Sequence, residues 1–169
     1  MYRDLRASDF QDLSDNFFAF IDELQENPDL GLVLLRKKPA LSEELEWFSN
    51  LFKNVEQGKI IATVAEADSR VVGLCEVEGF RADSDVAHRG RLGISVAKGF
   101  RGQGIGTELM RQTLEKCKGK FEVIELSVFT INRAKKLYER FGFQIYGHHP
   151  LAIKRNEKYM EEDLMLLKL

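Results

Sequence analysis

The sequence contains little cysteine and little proline. Of its 169 residues, 2 are cysteine and 3 are proline. Cys75 and Cys117 lie far apart and form no Cys-x-x-Cys pair, so neither a disulfide scaffold nor a zinc site is expected. His148 and His149 precede Pro150 and lack partners at metal-ligand spacing, so no metal site is expected there either. A reducing, cytoplasmic compartment is the expected location.

The sequence also lacks an excess of charge of either sign. It has 25 Lys and Arg against 27 Asp and Glu, which gives a formal net charge of −2. Without a basic excess, binding to nucleic acid or to an anionic membrane surface is not expected. Residues 1–6 carry acids and bases, and no apolar stretch behind them is long enough for a signal peptide or a membrane span.

The composition is that of a compact globular protein with a core. Apolar residues make up 44% of the chain and charged residues 31%, which excludes the disordered and low-complexity classes. No repeat or linker interrupts the chain, and its length fits a single domain over residues 1–169.

Hydrophobic periodicity divides the chain into alternating helices and strands. Helical spacing of apolar residues predicts helices over 8–26, from Ser42 to about Gly58, from the glycines after 101 to a stop at Gly119, and from Asn132 to Phe141. Runs rich in β-branched residues predict strands over 59–67, 71–80, 91–97, 121–129, 143–153 and 159–169. The first two strands, joined by Asp68-Ser69-Arg70, are expected to form a hairpin, as are the last two.

Three glycines stand at alternate positions between a predicted strand and a predicted helix: Gly102, Gly104 and Gly106. They leave a loop without side chains where unpaired N–H groups and the helix dipole point outward. A glycine inside a helix costs about 1 kcal/mol relative to alanine, so close approach of a ligand is the favoured explanation. The alternative is a tight turn that packs the helix against its strand. The pattern favours a phosphate site.

Two familiar phosphate-binding loops do not match this segment. The nucleoside triphosphatase loop requires a lysine, whereas Thr107 follows Gly106 directly. The dinucleotide fingerprint counted from Gly102 requires a last glycine at the position of Thr107. Because Glu122 and Glu125 lie near the distance of its ribose-binding acid, the dinucleotide alternative stays open at this point.

The segment Arg101-Gly102-Gln103-Gly104-Ile105-Gly106 resembles the Q/R-x-x-G-x-G/A motif of the GNAT superfamily of acetyltransferases. Ahead of it, Ile94-Ser95-Val96 is similar to the fourth strand of the family, and residues 132–143 are similar to its second cofactor region. The resemblance covers about Leu92 to Phe143. It implies an α/β GNAT-like fold, in which a twisted, mixed but mostly antiparallel sheet of about six to seven strands carries helices on both faces.

The resemblance also implies acetyl-CoA as the acyl donor. It assigns the pyrophosphate to the motif, with Arg101 at its head and main-chain N–H groups from Gly102, Gln103, Gly104, Ile105, Gly106 and Thr107. It places the pantetheine arm along the main chain of Ile94 and Val96, with the Ile94 N–H facing the thioester oxygen. For Asn132 it implies a hydrogen bond to the cofactor, and capping of the following helix is the alternative.

The same resemblance suggests how acetyl transfer would proceed. Tyr138 stands where the family has a general-acid tyrosine, although it also lies on the apolar stripe of its helix and fits the core. Where some relatives carry a basic glutamate, this chain has Gly90. Glu125 is the predicted catalytic carboxylate, and the other candidates for the base are Glu76, Glu78 and His88. Both cysteines lie outside the motifs, which favours direct transfer without a covalent intermediate.

The expected acceptor is a primary amine, either of a small molecule such as an amino acid or of a protein. Acids on the first two helices would attract a cationic amine, although a solvated helix face explains them equally well. They are Asp22, Glu23, Glu26, Asp29, Glu43, Glu44 and Glu46. The alternative function is a catalytically silent module that binds CoA or acyl-CoA for regulation. A monomer or a homodimer through the edge of the last hairpin is expected.

Overall fold

The structure is a computed structural model that describes residues 1–28, 30–31, 35 and 37–169. The strands are β1 (Tyr2–Arg3), β2 (Ile60–Ala67), β3 (Arg70–Gly79), β4 (Arg89–Val96), β5 (Val123–Phe129), β6 (Gln144–Arg155) and β7 (Lys158–Lys168). The helices are α1 (Phe10–Glu26), α2 (Leu41–Glu56), α3 (Ile105–Cys117) and α4 (Lys135–Arg140). Among the described residues, no helix is both long and apolar enough to cross a membrane.

The strands form one sheet in the order β1-β2-β3-β4-β5-β7-β6. Every neighbouring pair is antiparallel except β4 and β5, which run parallel. The predicted mixed, mostly antiparallel sheet is therefore confirmed. Strand β1 was not predicted, because two residues are too few to show an alternating pattern.

Helices cover both faces of the sheet, as predicted. Side chains of α1 and α2 bury one face of β2 and β3, with Leu13, Phe48 and Leu74 in this core. Helices α3 and α4 pack on the opposite face around Leu109 and Ile124. We call these the α1–α2 face and the α3 face. The main core lies on the α3 face, where α3 contributes fully buried side chains.

Both predicted hairpins are present, and their turns explain them. Asp68 and Ser69 have φ values of 51° and 62°, and Asn156 and Glu157 have φ values of 47° and 60°. Two consecutive left-handed residues form the tight turn whose twist matches that of the flanking strands. Short polar residues such as Asp and Asn tolerate this conformation better than most.

Strands β4 and β5 separate after a short paired region. The last of their three paired positions joins Arg91 to Glu125. Beyond this pair, β4 continues to Val96 and β5 to Phe129 without partners in each other. The gap between them opens toward the glycine loop, because that loop follows the end of β4.

Candidate active site

The loop before α3 has no side chain at two of its turning points. Gly102 and Gly104 have φ values of 75° and 84°, and a Cβ at either position would meet no atom within 4 Å. Helix α3 begins at Ile105, and its first bond joins the Glu108 N–H to the Gly104 carbonyl at 3.1 Å. The N–H groups of residues 105–107 therefore have no partner within the helix. This geometry suits an anion.

The third glycine of the loop has a packing role. A Cβ at Gly106 would lie 3.5 Å from a methyl carbon of Leu137 and 3.8 Å from one of Ile94. Helix α3 thus starts in close contact with α4 and β4. Gly102 and Gly104 thus fit an open anion site, and Gly106 fits the alternative of a glycine that allows close packing.

Arg101 fastens the loop to two other elements. Its guanidinium donates to both carboxylate oxygens of Glu23 on α1, at 2.7 and 2.9 Å. Its Nε also donates to the Val96 carbonyl at 2.8 Å. Because these contacts occupy the guanidinium, the structure gives Arg101 a role in positioning the loop. Direct contact between Arg101 and a cofactor stays a prediction.

The main-chain groups of Ile94 face the gap between β4 and β5. At the two ends of β4, the Ala97 N–H donates to β3 and the Arg89 carbonyl accepts from the residue after β3. Because main-chain groups alternate in direction along a strand, those of Ile94 and Val96 point away from β3. The Val96 carbonyl accepts a hydrogen bond from Arg101. The N–H and carbonyl groups of Ile94 therefore remain as the main-chain groups that face the gap where β4 and β5 part.

Asn132 connects the segment between α1 and α2 to the start of α4. Its Nδ2 donates to the Gly31 carbonyl at 2.7 Å, and its Oδ1 accepts from the Ala134 N–H at 2.9 Å. Because α4 begins at Lys135 and its N-cap residue is Ala134, this contact closes the turn before the helix, and the predicted capping of the helix by Asn132 is not observed. The contact with a cofactor stays a prediction.

Tyr138 is buried in the core of the α3 face. Its ring packs edge-on against Phe143, with 5.9 Å between ring centroids. Burial, assisted by the nearby Cys75, raises the pKa of Tyr138 to about 12. The hydroxyl is therefore protonated at neutral pH and available as a donor, so the core position and the predicted acid role are compatible.

Comparison of the sequence with models of known protein families gives a match that agrees with the geometry of this site. The family described as an acetyltransferase (GNAT) domain matches residues 58–145, just over half of the chain. The chain belongs to this family. The resemblance found in the sequence is thus confirmed. A dinucleotide site of the kind left open above needs a doubly wound parallel sheet, which the observed strand order excludes.

The chain is also similar to a curated protein. The L-amino acid N-acetyltransferase AaaT of Escherichia coli (strain K12) is 35% identical over 78 residues, which cover 44% of this chain and 48% of the relative. The chain thus spans about half the length of that curated relative.

The ribosomal-protein-alanine N-acetyltransferase of Brucella melitensis superposes with a TM-score of 0.83 at 23% identity, covering 100% of this chain and 99% of that one. A phosphinothricin acetyltransferase of Sinorhizobium meliloti, solved in complex with acetyl-CoA, superposes with a TM-score of 0.82 at 19% identity. The match covers 100% of this chain and 88% of that one. At these identities the two structures share the GNAT fold with this chain.

Both cysteines of this GNAT domain are buried and carry free thiols. Burial raises the pKa of Cys75 to about 12, and it does the same for Cys117. Since the thiolate is the nucleophilic form, neither cysteine is equipped to carry an acyl group at neutral pH.

Glu125, the predicted catalytic carboxylate, lies in the last pair before the gap and is buried. It accepts a hydrogen bond from Arg89, and a guanidinium nitrogen of Arg91 lies 3.8 Å from its other oxygen. Both arginines also lie over the Phe80 ring, at 4.9 and 5.5 Å from its centroid. The carboxylate thus holds β4 and β5 together where they begin to part. Its role as a base stays a prediction.

The other candidate bases occupy contrasting environments. Gly90 faces the α3 core, where a Cβ would lie 2.6 Å from a methyl carbon of Val77, so a glutamate does not fit at that position. Glu78 and His88 are exposed. Glu76 is half-buried, and its Oε2 is shielded from solvent and has no hydrogen-bond partner within the described part of the chain. Burial and repulsion from Glu78 raise the pKa of Glu76 to about 7.

Several acids predicted to face the acceptor interact with their neighbours. These pairs are Asp22 with Lys38, Glu23 with Arg101, Glu26 with Lys98, and Glu43 with the main chain of Ala40. Glu44 is buried, and desolvation raises its pKa. Asp29 lies outside the described residues. Local pairing therefore accounts for most of these acids without a ligand.

The structural roles of two residues at the site were missed by sequence reasoning. Glu23 was predicted to face the acceptor but pairs with the loop. Gly93, on β4 opposite Glu76, was not considered at all. A glycine inside a strand often marks the close approach of another group, and this signal could have found Gly93.

Proposed function

We propose that the protein is an acetyl-CoA-dependent N-acetyltransferase that transfers the acetyl group directly to a primary amine. The loop over residues 102–107 carries this proposal, because it presents main-chain N–H groups beside the gap between β4 and β5. Residues 1–169 form one catalytic domain in this proposal, since the seven strands found among the described residues belong to one sheet. Cytoplasmic location stays a prediction.

In this proposal the loop binds the diphosphate of acetyl-CoA. The N–H groups of Gly102, Gln103, Gly104, Ile105, Gly106 and Thr107 donate to it, and the start of α3 adds its dipole. The Arg101–Glu23 contact holds the loop in place. The pantetheine arm then extends into the gap between β4 and β5.

The thioester would be activated by the main chain of β4. The Ile94 N–H, which faces the gap, donates to the thioester oxygen and stabilises the negative charge that develops when the amine attacks. Loss of one such donor costs about 3 kcal/mol in measured enzymes. The amine itself is the nucleophile, in agreement with the buried thiols of both cysteines.

Tyr138 would protonate the departing thiolate. A tyrosine whose pKa is about 12 is a poor donor to a thiolate in water. Burial nevertheless makes thiols in the same core less acidic, since it raises the pKa of Cys75 to about 12 as well. A CoA thiolate released beside this core becomes more basic in the same way, which brings the two pKa values together.

The similarity to AaaT, which is named as an L-amino acid N-acetyltransferase, supports a proposed acceptor class. We expect an amino acid or another small amine first, and a protein amine second. A monomer or a homodimer is compatible with this function.

A second candidate function is a regulatory module that binds CoA or acyl-CoA without catalysis. Gly90 favours it, because the structure leaves no room at this position for the basic glutamate of some relatives. This module would be stabilised by CoA but would not acetylate any amine.

A thermal-shift experiment combined with an acetylation assay tests the proposal. Saturating acetyl-CoA at 100 times its dissociation constant adds about 2.7 kcal/mol to stability, which is easily measured. We expect stabilisation by CoA and acetyl-CoA but not by NAD, and thiol release that depends on an added amine. Stabilisation without thiol release on a broad amine panel supports the regulatory module instead.

A further inference from the structure

The carboxyl group of Glu76 lies over the main chain of Gly93. The two residues are paired across β3 and β4. A Cβ at Gly93 would lie 3.2 Å from Glu76 Oε1 and 3.7 Å from its carboxyl carbon. Because Gly93 has no side chain, the Glu76 carboxyl group extends from β3 over the main chain of β4.

This position is next to the predicted oxyanion donor. Gly93 immediately precedes Ile94, whose main-chain groups face the gap, and Arg91 forms the last pair with β5. The carboxyl group therefore lies on β4 where that strand has already left β5. It lies on the α1–α2 face, whereas Tyr138 packs on the α3 face. An amine on the α1–α2 face would meet Glu76, and a thiol leaving group on the α3 face would meet Tyr138.

One oxygen of this carboxyl group has no partner among the residues that the structure describes. Its Oε2 is shielded from solvent and accepts no hydrogen bond from any described residue. A buried carboxylate without a partner is strongly destabilised, so such groups are normally paired or neutralised. The unoccupied lone pairs of Oε2 could therefore accept a hydrogen bond from a cationic group brought by a ligand.

The basic groups on β4 near Glu76 are engaged by other residues, and its charged neighbour on β3 is an acid. Glu78 lies on the same strand and face and repels it. From β4, Arg91 stacks on Phe80 and approaches Glu125, as Arg89 does. On β2 the residue opposite is the neutral Ala62. The buried acids of the helices are Glu23, which pairs with Arg101, and Glu44, which is itself desolvated.

The geometry points to Glu76 as the general base that takes a proton from the ammonium group of the acceptor. This assignment rests on the proposed acetyltransferase function. It differs from the sequence prediction of Glu125, whose oxygens are already engaged by two arginines. A base with a pKa of about 7 is matched to proton transfer at neutral pH.

The proposed reaction is balanced in protons. The ammonium nitrogen gives one proton to Glu76, directly or through a water molecule, and the amine then forms the C–N bond while the C–S bond of acetyl-CoA breaks. Tyr138 protonates the thiolate and recovers the second proton that the nitrogen loses. Glu76 passes its proton to solvent. Each acetyl transfer therefore yields one amide, one CoA thiol and one released proton.

The pH dependence of Glu76→Gln tests this role. In the wild type, kcat/KM for an amino acid acceptor should rise with pH through a midpoint near 7, because the group must be ionised to accept a proton. We call this rise of kcat/KM with pH the limb near pH 7. In E76Q the limb should disappear, and kcat/KM at neutral pH should fall about 100-fold. Stabilisation by acetyl-CoA should be unchanged, and removal of an unpaired buried charge should not lower the Tm.

Three further variants distinguish the role of Glu76 from a structural effect. Glu78→Gln should keep turnover and move the midpoint to lower pH, because repulsion of Glu76 is removed. Gly93→Ala should lower kcat/KM while acetyl-CoA still binds, because a Cβ 3.2 Å from Glu76 Oε1 forces the carboxyl group to shift by a few tenths of an ångström. Glu125→Gln should retain the limb near pH 7.

Two results overturn the assignment, and they differ from failure of the proposed function. A normal E76Q profile with active wild type overturns the role of Glu76 alone. Loss of the limb in E125Q, with the limb retained in E76Q, transfers the role to Glu125. If the wild type releases no thiol with any amine, the acetyltransferase function fails, and the role of Glu76 fails with it.

Discussion

Glu23 and Arg101 join the end of α1 to the glycine loop through two parallel hydrogen bonds of 2.7 and 2.9 Å. The Glu23 residue is buried, and the same guanidinium lies 5.4 Å from the centroid of the Phe20 ring. A bidentate contact of this kind fixes orientation as well as distance. The first helix therefore contributes to the shape of the proposed diphosphate site although it is remote in sequence.

Because Arg101 positions the loop, its removal and the removal of Glu23 should have similar effects. Arg101→Ala and Glu23→Ala should each weaken CoA binding, and the double variant should be little worse than either single variant. The coupling measured by calorimetry should fall in the range of about 0.5–3 kcal/mol that interacting residues show. If Arg101 contacts the phosphates directly, R101A will instead be much the weaker binder, with a strong salt dependence.

Substitution of Gly104 should abolish CoA binding. Gly104→Val places a branched side chain in the open space of the loop at a φ of 84°. The left-handed conformation alone costs about 1–2 kcal/mol for a residue with a Cβ. Gly99→Val is the matched control, because a Cβ there also meets nothing within 4 Å and no left-handed φ is involved. Equal thermal stabilisation of both variants by CoA would contradict the proposed site.

Tyr138→Phe should slow catalysis and leave binding intact. Loss of a general acid lowers kcat by about 100-fold or more. Acetyl-CoA should still raise the Tm of the variant, because the phenylalanine ring fills the same core beside Phe143. Steady-state kinetics with thiol detection measures the effect. A variant with wild-type kcat would show that the hydroxyl serves only the core.

Asp163 makes the fold sensitive to acid. It is buried on β7, and it accepts a hydrogen bond from Lys135 at 2.5 Å. This contact, with a further one from His148, lowers the pKa of Asp163. A depressed folded-state pKa stabilises the protein above the unfolded value of about 3.9, and this stabilisation is lost as pH falls through the folded value.

Asp163→Asn should therefore lower the free energy of unfolding at neutral pH by about 1.5–3 kcal/mol, the range for hydrogen bonds to charged groups. The difference from wild type should shrink below about pH 4. Chemical denaturation at several pH values measures this. Asp85→Asn, at an exposed position, is the control. A constant difference at all pH values would contradict the assigned role of the carboxylate.

Local signals in the sequence were sufficient for most of the fold. The Asp68-Ser69 turn predicted its hairpin, because few residues other than short polar ones accept consecutive left-handed conformations. The glycines predicted the loop and the start of α3 for a similar reason. Strand β1 was missed, because a strand of two residues exists only through its pairing with β2.

Contacts between distant residues could not be predicted in this way. Arg101 was assigned to the cofactor by its place in the motif, but its partner Glu23 lies 78 positions away. Glu125 looked like a candidate base among apolar neighbours, and only the register of β4 and β5 shows the arginines beside it. Burial of Glu76 over Gly93 likewise depends on strand pairing, which no local pattern specifies.

The central claim is that main-chain N–H groups of residues 102–107 bind the diphosphate of acetyl-CoA. Titration of the protein with CoA, followed by NMR of the backbone amides, tests it most directly. The claim predicts large downfield shifts for the amides of the loop, since each gains a hydrogen bond to a charged oxygen. Saturation by CoA with these loop amides unshifted, and large shifts elsewhere in the protein, would contradict it.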